Sequence, residues 1–105
     1  MVLVRDVFQC KFGQGGEVVG FLKTLFESQV NNAGYGISDV RILTDISGPY
    51  YTVVVELEME SVDAHQKLLH DSFAQADMTE GFARLAQAVD SGHRTYYNVE
   101  YANRG

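Results

Sequence analysis

The stretch Thr52–Met59, TVVVELEM, constrains this chain more than any other. Val53, Val55, Leu57 and Met59 alternate with Thr52, Val54, Glu56 and Glu58, so one face is wholly apolar and the other turns acidic. Period-two alternation of this kind specifies a half-buried β-strand. It also sets the register, because a slip of one residue would bury Glu56, Glu58 and Glu60. Upstream, Val40, Ile42, Thr44 and Ile46 alternate with Arg41, Leu43 and Asp45, and Ile46-Ser47-Gly48-Pro49 separates the two runs. The segment from Ser38 to Ser61 therefore reads as a β-hairpin.

The remaining elements follow in order. Val2–Phe12 alternates as a first strand, with Val2, Val4, Asp6, Phe8, Cys10 and Phe12 on the more apolar face. Gly13-Gln14-Gly15-Gly16 breaks it; without a following Lys-Ser/Thr this is a turn and not a phosphate loop. Val18, Phe21, Leu22, Leu25, Phe26 and Val30 recur at the helical period, which predicts a helix from about Glu17 to Asn32. Asn31-Asn32-Ala33-Gly34 is its stop signal, with Gly34 suited to positive φ. Ser61 is an N-cap for a helix carrying Val62, Leu68, Leu69 and Phe73 as far as about Ala76. Asp77-Met78-Thr79-Glu80 has capping-box spacing and opens a second helical piece with Met78, Phe82, Leu85 and Val89, ended by Ser91-Gly92. The last strand is expected over His93–Tyr101, followed by a frayed tail from Ala102 to Gly105.

This order, β-α-β-β-α-β, predicts one ferredoxin-like α+β domain over residues 1–105, a four-stranded antiparallel sheet with its helices on one face. The helix-facing side should hold Val4, Phe8, Val40, Ile42, Val53, Val55, Leu57, Tyr97 and Val99. The other face should mix Arg5, Arg41, Asp45, Glu56, Arg94, Tyr96 and Asn98 with Leu3, Val7, Leu43 and Val54. Apolar side chains among those charges suit a second copy of the sheet, so a homodimer is expected.

Composition excludes several functions. The net charge is −6 and the eight basic residues are scattered, which argues against nucleic acid. No apolar run approaches the roughly 18 residues of a membrane helix, and Arg5 and Asp6 interrupt an N-terminus that has no signal-peptide cleavage pattern. The single Cys10 can form neither an internal disulfide nor a CxxC metal pair. A reducing compartment, the cytoplasm, is the expected location.

Candidate chemistry is sparse. His65 and His70 are five residues apart, about 140° around a helix, so they do not share a face for a metal; a surface or half-buried place is expected for both. His93 beside Gly92 suits a helix C-terminus. Cys10 on the core face reads as an inert thiol. Arg5, Arg41, Tyr96 and Asn98 are the candidate substrate-binding residues. Arginines beside a tyrosine can orient an anionic or phenolic molecule, or the same groups can pair across strands or across a dimer interface.

The Arg5-containing first strand, the VRILTDISGP hairpin, the broken second helix and the terminal SGHRTYYNVEY together resemble the dimeric α+β barrel superfamily. Within it the chain is similar to small NIPSNAP-like and antibiotic-biosynthesis-monooxygenase-like members. The resemblance spans essentially the whole chain and implies a homodimer of face-to-face sheets, with a pocket inside the barrel or between sheet and helices. It further implies a small-molecule enzyme of the cofactor-free monooxygenase or isomerase type; the alternative is a binding or assembly module whose sheet face serves dimerisation. Haem-degrading relatives use a helix histidine, for which His70 or His65 is nearest. Arg5-Asp6 stands where those relatives carry Asn, and there is no Trp, so no cofactor is expected.

Overall fold

The computed structural model describes residues 1–30, 33–75 and 78–103. Its elements are β1 (Val2–Cys10), α1 (Gly15–Gln29), a 3-10 turn (Ala33–Tyr35), β2 (Ile37–Thr44), β3 (Thr52–Met59), α2 (Val62–Ala74), α3 (Thr79–Ala88) and β4 (Val89–Asn98). The strands form one antiparallel sheet in the order β2-β3-β1-β4. This is the ferredoxin-like arrangement expected from the element order. β3 has the bounds its alternation predicts, and it is central, paired on both edges.

One side of the sheet makes the core. Val4, Val53, Val55, Leu57 and Met59 are buried beneath Val18, Leu22, Leu25 and Phe26 of α1 and Leu68 of α2. The α1 stripe departs from expectation at its end: Val30 is exposed and Gln29 is buried instead. Gln29 lies seven residues after Leu22, within about 20° of the same helix face. Phe21 packs edge-on against Phe82 of α3, with ring centroids 5.3 Å apart. Ser61 caps α2 as its position predicts, its hydroxyl accepting the Ala64 N–H at 3.1 Å. The stop residues Asn31-Asn32, the Ala76-Asp77 break, the Asp77 cap and the end of the tail lie outside the described residues.

Positive φ falls at Gly36 (62°), two residues beyond the expected Gly34. The Gly36 carbonyl accepts the Glu60 N–H at 3.1 Å, and a Cβ there would sit 2.9 Å from Glu60 Oε2 and 3.0 Å from Glu60 Cβ. Gly36→Ala should therefore lower unfolding stability by about 2 kcal/mol, from left-handed strain plus displacement of Glu60. Urea denaturation measures this; an unchanged midpoint would mean that the turn carries no such constraint.

The C-terminal strand differs most from expectation. It starts at Val89, directly after α3, so Ser91-Gly92 and His93 are sheet residues and not a helix terminus. Gly92 is opposite Phe8, and its missing side chain leaves room for the Val7 carbonyl, 3.1 Å from where a Cβ would be. The strand's faces are also reversed. Tyr96 pairs with Val4 and Arg94 with Asp6, and directly opposed residues of an antiparallel pair share a face. Arg94 and Tyr96 thus lie on the helix side, whereas Tyr97, opposite Leu3, lies on the open side.

Candidate functional site

The reversal of β4 builds a polar wall against the core. Asp6 is nearly buried on the helix side of β1, where a lone carboxylate would be costly. Arg94, its cross-strand partner, donates to it from Nε at 2.6 Å. Two register positions along, Tyr96 reaches His65, which α2 brings over the sheet four residues after its cap. His65 Nδ1 is 2.9 Å from Tyr96 Oη, the rings meeting edge to face at 5.5 Å. Gln66 Nε2 donates to the same phenol oxygen at 2.9 Å. Gln66 already donates to the phenol oxygen, so the arrangement that also uses the Tyr96 hydrogen has it donating to Nδ1, and on that ground the imidazole proton is assigned to Nε2.

His65 is 1% exposed, contrary to the surface or half-buried place its sequence suggests. Burial, reinforced by the Arg94 charge and opposed by Asp6, lowers its pKa to about 4. The imidazole is therefore neutral at pH 7 and acts as a hydrogen-bonding group rather than as a base.

This wall borders a cavity of about 190 Å³ between the sheet and the three helices. His65, Asp6 and Arg94 line it together with an apolar body that includes Leu22, Leu57 and Phe82. Phe82 stacks tilted on Phe73 at 4.5 Å, so aromatic rings of α2 and α3 meet at its edge.

The four substrate-binding candidates do not come together. Tyr96 is on the helix side behind His65, and Asn98 is exposed near the end of β4 opposite Val2. Arg5 and Arg41 lie on the opposite, open face, flanking Glu56 from β1 and β2. Arg41 bonds Glu56, which is itself only 9% exposed. The next row of that face is apolar, running Leu43, Val54 and Val7 across three strands.

Sequence reasoning missed Asp6, His65 and Arg94 as one cluster. A signal existed: an aspartate on the apolar side of a strand demands a cation on the same side, and Arg94 supplies it. Cys10 is buried, and burial together with the Asp90 charge raises its thiol pKa, which leaves no thiolate for chemistry. His70 and His93 are exposed. Among the described residues no three His, Cys, Asp or Glu side chains gather to hold a metal ion.

No family model matches the chain, and neither does any curated protein. Solved structures do. A conserved protein from Methanosarcina mazei Go1 is 16% identical, with a TM-score of 0.72 over 92% of this chain and 90% of that one. A NIPSNAP family protein from Agrobacterium tumefaciens is 10% identical, with a TM-score of 0.75 over 92% of this chain and 90% of its own. An antibiotic biosynthesis monooxygenase is 14% identical, with a TM-score of 0.71 over 93% and 97%. Both kinds of protein that the sequence resembles are thus among its structural neighbours, and the chain shares with them the ferredoxin-like α+β fold.

Proposed function

We propose that the protein is a small-molecule enzyme of the cofactor-free monooxygenase or isomerase type, working as a homodimer in the cytoplasm, with its reaction pocket between the sheet and α1–α3. The observation that carries this is the apolar cavity bordered by the neutral His65, which is held by Tyr96 beside the Asp6–Arg94 pair. A neutral imidazole N–H on the wall of a largely apolar pocket can stabilise negative charge developing on a substrate oxygen. Enolate-like charge of that kind arises in both reaction types. Tyr96 is a positioning residue in this scheme, because its phenol fixes the imidazole tautomer.

Arg5 and Arg41 belong, in the same proposal, to the dimer contact. The Leu43–Val54–Val7 row and the Arg41–Glu56 pair form a patch whose charges are matched within the chain, which suits a second copy. That self-matching also favours the second reading, an assembly module without chemistry. Sedimentation of wild type and Leu43→Glu tests the contact: a dimer that the charge converts to monomer is expected, and a wild-type monomer sinks the barrel.

Amide-resolved NMR titration with neutral one-ring compounds tests the pocket. Shifts should cluster at Leu22, His65 and Leu68; shifts confined to Arg41 and Val54, or none, reject it. Compounds that bind are then followed for oxygen consumption and isomer formation. His65→Gln should slow turnover on the order of 10²-fold. If no bound compound is turned over, the assembly reading stands.

A further inference from the structure

The cavity has a second polar end that the proposed reaction scheme does not use. Ser72 and Gln29 both line it, and each is 3% exposed. Ser72 follows His65 by seven residues, two turns of α2, which puts the two within about 20° on one helix face and about 10 Å apart along its axis. Gln29 reaches the same space from the last position of α1. Among the described residues no side-chain hydrogen bond ties the Ser72 hydroxyl or the Gln29 carboxamide, and their polar atoms keep a little accessible surface, whereas His65 is tied to Tyr96.

A nearly buried hydroxyl or amide gains by finding a hydrogen-bond partner. Two such groups on one apolar cavity therefore form a polar end open to a ligand. Water is a poor filler for the whole space, because it needs several polar partners, and Leu22, Leu25, Leu57 and Leu68 line the stretch between. Charge is excluded as well. The single guanidinium on the wall is already neutralised by Asp6 at 2.6 Å, so an anion entering would lose its hydration without gaining a free cation. Size sets the last bound: a cavity of roughly 150 Å³ holds benzene, and this one, at about 190 Å³, has room for one ring with substituents.

We infer that the cavity takes an elongated, uncharged molecule with a body about one ring in size and a hydrogen-bonding group at each end, one meeting His65 and the other Ser72 and Gln29. This rests on the pocket reading above and adds the ligand class to it. The ligand spans from the α2 N-terminal half to its C-terminal half, and Ser72 and Gln29 select its far group while His65 meets the reacting end.

The test is NMR titration of the purified full chain with four probes of similar size: 4-hydroxybenzamide, benzamide, phenol and p-xylene. The two-ended probe should bind roughly tenfold tighter than either one-ended probe, the worth of one further hydrogen bond. Ser72→Ala should erase that advantage while leaving p-xylene affinity unchanged, and Gln29→Met should act in the same direction. Equal affinity of 4-hydroxybenzamide and p-xylene overturns the two-ended site while keeping the pocket. Benzoate binding tighter than benzamide overturns the preference for an uncharged molecule. Failure of every probe, p-xylene included, removes the pocket reading and this inference with it.

Discussion

Replacing Leu57 by Ala should lower unfolding stability by about 3 kcal/mol, which corresponds to a fall in Tm of more than about 10 °C for a domain of this length. Leu57 is 2% exposed at the centre of the central strand, between Val4 on β1 and Val40 on β2. It sits under the helices and also borders the cavity, so its loss removes apolar burial and leaves a void that the neighbouring strands cannot close. Urea unfolding followed by circular dichroism reads the change. A loss under about 1 kcal/mol would mean that the helices do not press on the sheet at this position. Because the void adjoins the cavity, the variant should also admit probes larger than one ring, a gain that ordinary destabilisation does not produce.

Acidification should destabilise the protein through His65. Its pKa is lowered from 6.5 to about 4 in the folded state. Well above pH 6.5 the group is neutral both folded and unfolded and has no effect. As pH falls from 6.5 to 4, the unfolded chain binds a proton that the folded one refuses, so stability declines with each step and the loss is complete below about pH 4. The total is on the order of 3 kcal/mol. Urea unfolding from pH 7.5 to 4.5, on wild type and His65→Gln, isolates this group, because carboxylates titrate alike in both proteins. The wild-type curve should fall more steeply across pH 6.5 to 4.5. Parallel curves would show that the imidazole is not desolvated and would remove the neutral hydrogen-bond donor from the proposed chemistry.

What the amino-acid sequence determined by itself was local and periodic. Alternation delimited β3 from Thr52 to Met59, and it made β1 a strand whose core face carries Val4, Phe8 and Cys10. The Ser61 cap needed only a hydroxyl three residues before an N–H. From such elements the β-α-β-β-α-β order and the ferredoxin-like fold followed, because few arrangements bury those faces.

Tertiary structure decided the rest, wherever local rules permitted two answers. Period-two alternation in β4 separates Arg94 and Tyr96 from His93 and Tyr97 without saying which pair faces the helices. The buried Asp6 settles it by drawing Arg94 inward, which carries Tyr96 to His65. Gly92 reads locally as a helix stop, yet pairing with Phe8 of β1 keeps it in a strand, where the Val7 carbonyl lies close, 3.1 Å from where a Cβ would be. Gln29, Ser72 and His65 are polar residues on otherwise apolar helix faces, a pattern visible in the helical period. Whether such residues meet solvent, one another or a cavity depends on how α1 and α2 lie over the sheet. That placement is set by packing across the whole domain, and the candidate site exists only because of it.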